Sequence, residues 1–547
     1  MRLNPLTAID FYKADHISQY PDGTEYVYSN FTPRSDKLTN LGKDFDGKVV
    51  FFGLQGFIKW FLIDLWNDEF FSKPKYEVVA KYKRRMDNSL GPGAVDVSHI
   101  ERLHDLGYLP LEIKALPEGS LVPMQVPVLT LVNTDTKFSW LVNYLESVMS
   151  AELWKSCVTA TTAYEYKKIL TKAAIETGAP LDFVPLQGHD FALRGAGGVY
   201  DAANNQSGHL LSFIGTDTVP AIDYLEDYYG ADSDKEIIGV SVPATEHSVM
   251  CMGGMEDEIG TFERLICELY PTGIVSIVSD TWDFWKVITQ YLPELKDKIM
   301  ARQPNSLGLN KVVIRPDSGD PVKIICGYKV MDINVNLDDY NAGEIAKRCA
   351  SGGFDAVREL NGLIQTVHHY PERGHVFTFT YISEAEVKGA VECLWDTFGG
   401  TFTDKGYKVL DEHIGLIYGD SITIERAKHI MSLLEGKGFA SCNVVLGIGS
   451  YTYQYVTRDT YGFAMKATWG MVKGEAREIF KDPKTDDGIK KSARGLLRVD
   501  KIDGEYTLTD QVTLKQEQGG ELKTVFLNGK VNNFQTLSEI RKVLDKH

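Results

Sequence analysis

Through the middle of this chain one pattern recurs: a short apolar run, a polar turn, then apolar positions at helical spacing. The runs stand at 183–186 before QGHDFALRG, 210–214 before GTDTV, 237–242 before PATEHS and 274–278 before SDTWD. They continue at 312–314 before RPDSGD, 414–417 before YGDS and 444–446 before GIGS. Short apolar runs bounded by turns read as buried strands. The spacing of Val219, Ile222 and Leu225, and of Ile424, Ala427, Met431 and Leu434 closing at Gly436, adds helices behind them. Such βα units predict a barrel-like α/β domain, with an open doubly wound sheet as the alternative.

The flanks follow another rule. Residues 1–180 mix short strands (VYSNF, VVFFG, VLTLV) with helices such as 164–177, which stops at Gly178 and Pro180. Residues 460–547 are rich in Lys, Arg and short β-like runs. We read the two ends as one α+β domain with the barrel, 181–459, inserted between them. The stretch from Asp317 to Asp420 is longer than one βα unit needs, which predicts an insertion within about 323–405.

Composition narrows the partners. A chain of 547 residues with 43% hydrophobic positions is long enough for two cored units. A net charge of -17 argues against broad binding to nucleic acid or to an anionic membrane. Any phosphate must therefore meet a local basic cluster. Cys157, Cys251, Cys267, Cys326, Cys349, Cys393 and Cys442 form no CxxC pair, which suits a reducing cytosol. No apolar run approaches the roughly 18 residues of a membrane span, and the N-terminus lacks an export signal. A cytoplasmic protein is expected.

Nucleotide-binding motifs are absent: there is no GxxxxGK[ST], and neither 195–197 nor 447–449 completes GxGxxG. What stands out is the end of each apolar run. Phe191 and Arg194 follow the first, Asp217 the second, Glu246 and His247 the third, and Ser276 and Asp280 mark the fourth. Arg315 and Asp317 follow the fifth, Gly419 and Asp420 the sixth, Gly449 and Ser450 the seventh. In a barrel these ends converge on one face, where active sites are built. Singly, an Asp or Ser there reads as a helix N-cap and a lone His as a structural residue. Caps do not call for Arg194, Arg315 and His247 together.

YGDS and GIGS are glycine turns suited to phosphate, although glycine also serves ordinary tight turns. A basic run follows at Arg458, Lys466, Lys473, Arg477, Lys481, Lys484, Lys490, Lys491 and Arg494, either a solvated face or a holder of pyrophosphate or ATP. His368, His369 and His375 lack zinc-type partner spacing and read as surface histidines. Magnesium would draw its oxygen ligands mostly from substrate phosphates and a carboxylate such as Asp317.

In order, HDFALRG, GTDTV, SVPATEHS, SDTWD, IRPDSGDP, YGD and FKDP resemble the nicotinamide phosphoribosyltransferase family. DFYKADHISQYP, FGLQGF, IKALPEG and TVFLNGKV extend the resemblance to nearly the whole chain. The resemblance implies a type II phosphoribosyltransferase barrel and a homodimer with active sites shared across the interface. Phe191 and the partner subunit's Tyr12 would sandwich the pyridine ring of nicotinamide, and Asp217 would accept from its carboxamide. Ser241 and Ser276 would line the pocket. Arg194, Arg315 and Asp317 would hold pyrophosphate, ribose and magnesium, while Gly419, Asp420, Gly449, Ser450 and Arg458 would hold the ribose and 5′-phosphate. His247 would be phosphorylated from ATP, with Glu246 and Asp280 orienting or polarising it, and Arg34, Lys466, Lys481 and Lys490 would serve phosphates. Two features depart from the family: Ser450 and Tyr451 stand where a longer glycine run is common, and the interval after Asp317 is long. The implied reaction joins nicotinamide to phosphoribosyl pyrophosphate. The competing readings are a nicotinate phosphoribosyltransferase and an inactive ligand-binding protein on the same fold.

Overall fold

The computed structural model describes residues 3–329, 355, 357–360, 363–370, 376–419, 421–480 and 493–546. Both ends of the chain meet in one antiparallel sheet. Its strands run Glu475–Glu478, Ala464–Val472, Thr24–Thr32, Leu129–Asn133, Leu111–Ala115, Lys523–Leu527 and Lys530–Val531 in spatial order. Strand Thr24–Thr32 thus pairs with an N-terminal neighbour on one side and a C-terminal one on the other. Along Leu111–Ala115 burial alternates residue by residue, as a half-buried strand requires.

The helix expected at 164–177 is Glu146–Thr177, and it ends on Gly178 at φ 70 as its glycine foretold. Its middle left no stripe to read. Ser156 through Ala163 are buried in unbroken succession, so no polar face alternates with an apolar one.

The α/β part is a ring of parallel strands. Gly215–Thr216, Gly188–Phe191, Val444–Gly449, Ile414–Tyr418, Val312–Arg315 and Val275–Val278 form a six-stranded sheet in that order. Segment 240–245 joins its two edges. Thr216 N–H donates to Val240 C=O (3.0 Å) and Ser276 N–H to Pro243 C=O (2.9 Å). Neighbours around the ring are therefore neighbours in sequence, and the last strand closes on the first. The barrel is the outcome, not the open sheet.

Two strands sit later than the apolar pattern placed them. Residues 183–186 are helical and the first strand is the following Gly188–Phe191; 210–214 close the helix Val199–His209 and the second strand is Gly215–Thr216. Both strands bury polar groups that are hydrogen-bonded, so neither needs an apolar run. The long interval after the fifth strand carries an antiparallel sheet, Val357–Leu360, Leu363–Tyr370 and Val376–Ile382. His368 and His369 lie on its middle strand, and His375 is outside the described residues. Among the described residues no His, Cys, Asp or Glu cluster could hold a metal, and no helix is long and apolar enough to cross a membrane.

The C-terminal helix Leu537–Leu544 braces the barrel from below. Arg541 donates to the carbonyls of Leu210, Ile237 and Ile238, at the entries to the second strand and the bridging segment.

Candidate active site

His189 and Phe191, two residues apart on the first strand, share one face, with ring centroids 4.6 Å apart and planes inclined at 38°. Asp217 is the first residue beyond the second strand, its N–H held by Asp190 C=O at 3.0 Å. Its Oδ1 accepts from His189 Nε2 (2.9 Å) and from Ser241 Oγ (2.6 Å). Burial alone would raise the carboxyl pKa, but these two donors and the nearby Arg315 charge hold it below the ordinary aspartate value. Asp217 is therefore ionised at neutral pH. Glycine keeps this pocket open: a Cβ on Gly447 would fall 2.9 Å from Phe191 and 2.5 Å from Tyr418 C=O. Beneath lies Ser276, 4% exposed, whose Oγ has no hydrogen-bond partner among the described residues.

A second cluster forms across the mouth. His247 begins the helix His247–Gly253, and its Nε2 lies 3.2 Å from Asp280 Oδ1. Asp280 Oδ2 accepts from the N–H groups of Asp317 (2.9 Å) and Ser318 (2.8 Å) and from the Ser318 hydroxyl (2.6 Å). Burial works against the charge on Asp280, and these bonds together with His247 outweigh it, leaving the pKa depressed. Glu246 caps that helix's start in extended conformation and accepts from Ser248. Arg315 Nη2 donates to Thr245 C=O (2.7 Å), tying the fifth strand to the bridging segment, while its Nε stands 3.8 Å from Asp317 Oδ1. A Cβ on Gly419 would sit 1.9 Å from that same oxygen. One carboxylate thus faces a guanidinium in a space only glycine leaves free.

The barrel and its mouth fall within a longer match, residues 186–530, to the Nicotinate phosphoribosyltransferase (NAPRTase) family; residues 4–75 match the Nicotinamide phosphoribosyltransferase, N-terminal domain. The chain is 59% identical to a nicotinamide phosphoribosyltransferase of Acinetobacter baylyi, over 99% of this chain and 97% of that one. The chain belongs to the nicotinamide phosphoribosyltransferase family. A second member, from Mycoplasma pneumoniae, is 30% identical over 88% of this chain and 93% of its own length. The crystal structure of human Nicotinic Acid Phosphoribosyltransferase aligns with TM-score 0.49 at 14% identity over 98% of this chain and 93% of that one.

Not every residue singled out by resemblance to this family sits with these two clusters. Tyr12, 61% exposed on the turn Phe11–Lys13, lines a separate cavity of about 570 Å³ with Asp10, Glu146, Trp154 and Arg458. Arg34 lies close enough to Arg458 that, after burial, the second guanidinium is the main influence lowering its pKa, and its Nε donates to Gly462 C=O at 2.7 Å. Lys466 stands half-buried on Ala464–Val472. Arg194 is exposed, one residue before Gly195, where a Cβ would meet Ser450 at 2.2 Å; the first and seventh strand ends therefore touch. Gly449 caps a helix of only five residues, Ser450–Gln454. Asp420, Lys481 and Lys490 are outside the described residues. Sequence reasoning missed His189, Thr245 and Ser318. His189 was legible only through its i, i+2 relation to Phe191.

Proposed function

We propose that the chain joins nicotinamide to phosphoribosyl pyrophosphate, giving nicotinamide mononucleotide and pyrophosphate. The observation that carries this reading is the ionised, doubly anchored Asp217 beside the Phe191 ring. A carboxylate accepts from the carboxamide NH₂ of nicotinamide and repels the carboxylate of nicotinate. The pyridine nitrogen attacks ribose C1′ with its own lone pair, and the C1′–O bond to pyrophosphate breaks with its electrons leaving on the pyrophosphate oxygen. No general base is needed. The residues must orient the ring and stabilise charge that develops on ribose and leaving group. Phe191 stacks on the ring, and the buried Ser276 hydroxyl has hydrogen-bonding capacity left for substrate.

Arg315 and Arg194 supply cationic character for the pyrophosphate, and Arg34 with Arg458 forms a like-charged pair suited to a further phosphate. Magnesium, a hard cation, would be held by the Asp317 carboxylate at the mouth together with substrate phosphates, while Asp280 holds the turn by accepting from the Asp317 and Ser318 N–H groups and the Ser318 hydroxyl. Magnesium bound there would neutralise the departing pyrophosphate. A homodimer, in which the partner subunit's Tyr12 covers the base, accounts for the distance in chain and cavity between Tyr12 and the barrel mouth.

ATP enters through His247. With Nε2–H directed at Asp280, the Nδ1 lone pair is free to attack the γ-phosphorus while ADP leaves with the bonding pair. A cytoplasmic setting agrees with the free thiols at Cys157, Cys251, Cys267, Cys326, Cys393 and Cys442. The experiment is to supply phosphoribosyl pyrophosphate with nicotinamide or nicotinate, with and without ATP, and to identify the nucleotide. Nicotinamide should be preferred about a thousandfold in kcat/KM, a preference weakened in Asp217→Asn. His247→Ala should keep basal transfer and lose ATP stimulation. Equal use of nicotinate overturns the reading of the base site.

A further inference from the structure

The two carboxylate oxygens of Asp217 are not equivalent. Oδ1 receives both the His189 Nε2 and the Ser241 hydroxyl, whereas no hydrogen bond among the described residues engages Oδ2. An oxygen with two lone pairs and two donors is saturated, so Oδ2 is the one left to accept from a ligand. His189 is itself fixed on three sides. It is 9% exposed, its ring leans on Phe191, and its Nδ1 edge lies so near the second strand that a Cβ on Gly215 would approach it to 2.9 Å. The imidazole thus fills the wedge between the aromatic ring and the carboxylate.

We propose that His189 is a positioning residue for base specificity: with Ser241 it anchors Oδ1 of Asp217, aiming Oδ2 at the substrate carboxamide while backing the Phe191 ring. This rests on the role proposed for Asp217. It also reassigns Ser241, whose single proton is committed to Oδ1, from a lining residue to a second anchor. Because Asp217 touches the base and His189 does not, the effect of His189 must vanish when Asp217 no longer carries its charge.

The test measures kcat and KM for nicotinamide and nicotinate in the full-length enzyme. It compares His189→Leu and His189→Gln, each made alone and combined with Asp217→Asn. His189→Leu should raise KM for nicotinamide about tenfold or more, lower kcat less, and shrink the preference for nicotinamide by about tenfold. His189→Gln, which restores an N–H donor, should recover most of that preference. In the Asp217→Asn background His189→Leu should leave the remaining preference unchanged. The proposal is overturned if His189→Leu alone keeps the full preference while Asp217→Asn loses it. It is equally overturned if His189→Leu costs the same in both backgrounds, the mark of a merely structural residue. If Asp217→Asn itself keeps the preference, the reading of Asp217 fails and this one falls with it.

Discussion

Between 275 and 449 the barrel strands are apolar and continuous: every residue of Val275–Val278 and of Ile414–Tyr418 is buried, and four parallel strands pair in unbroken register. Between 188 and 245 the same barrel is made of a four-residue strand, a two-residue strand and a segment joined only by single bridges. Here side-chain hydrogen bonds do what apolar packing does elsewhere. Buried Asp190 accepts from Ala192 N–H (2.9 Å) and the Thr216 hydroxyl (3.0 Å), and Arg541 grips the carbonyls at the entries below. Apart from the Ser276 hydroxyl beneath the pocket, the groups proposed to recognise the base, Phe191 and Asp217 with its anchors His189 and Ser241, come from this polar half. The apolar half contributes Arg315, Asp317 and Asp280. Base recognition needs an anchored polar wall, and that wall replaces the apolar signature of the strands carrying it.

The largest expected effect belongs to the apolar half. Ile277 is fully buried on the fourth strand, so Ile277→Ala should lower unfolding free energy by about 2–5 kcal/mol in denaturant titration. The nicotinamide preference of the folded fraction should not move. A changed preference with little loss of stability would erase the division of labour between the halves.

Next in size is Gly419→Ala. The added methyl would meet Asp317 Oδ1 at 1.9 Å, and the short Asp317 side chain beside Arg315 must turn away. Displacing a catalytic carboxylate by about an ångström costs roughly a hundredfold in kcat/KM. Thermal unfolding should be nearly unaffected, and retained activity would show that Asp317 is not held where the reaction needs it.

In the polar half, Thr216→Val keeps shape but removes a donor to Asp190 and the acceptor for Thr218 N–H at 2.9 Å. The loss should be about 1–3 kcal/mol. It should also spread to the neighbouring Asp217, seen as a weakened nicotinamide preference. A stability loss with the preference intact would mean that the wall holds Asp217 without its second strand.

The same contrast explains what the sequence could and could not disclose. Strands at 275–278, 312–315, 414–418 and 444–449 coincide with apolar runs because their burial is largely that of apolar side chains. Gly188–Phe191 and Gly215–Thr216 were displaced because their burial is satisfied by hydrogen bonds that no periodicity records. Charged strand ends such as Asp217, Asp280, Arg315 and Asp317 were legible since polar residues at the end of apolar runs are conspicuous. His189 was hidden inside the segment read as a turn. The closeness of Arg34 and Arg458, more than four hundred residues apart, is a property of tertiary packing alone.

The smallest expected effect is a pH dependence seated behind the polar wall. His209 is completely buried, stacked on Phe213, with Nε2–H donating to Gly215 C=O (3.0 Å) and Nδ1 accepting from the Tyr453 hydroxyl (2.7 Å). Burial, reinforced by the proximity of His189, pushes its pKa down to about 3. A second proton would have to enter at Nδ1, against the Tyr453 O–H that already points there. In the unfolded chain the same imidazole binds a proton below about pH 6.5. Between these values the unfolded state holds more protons, so stability is full above pH 6.5 and declines as pH falls, by about 1.4 kcal/mol at pH 5.5. His209→Gln removes the titration and loses some hydrogen bonding at every pH. Its deficit relative to the unmodified protein, measured by denaturant titration, should therefore be widest at pH 8 and narrower by about 1.4 kcal/mol at pH 5.5. His99, buried against Trp140 on the helix Ser98–Leu106 with a pKa lowered by that burial to about 4, has the same sign and remains in both proteins, so it cancels from the difference. A deficit that stays constant across this range would mean that His209 does not remain neutral in the folded barrel, and the hydrogen-bonded tautomer that pins the second strand would have to be abandoned.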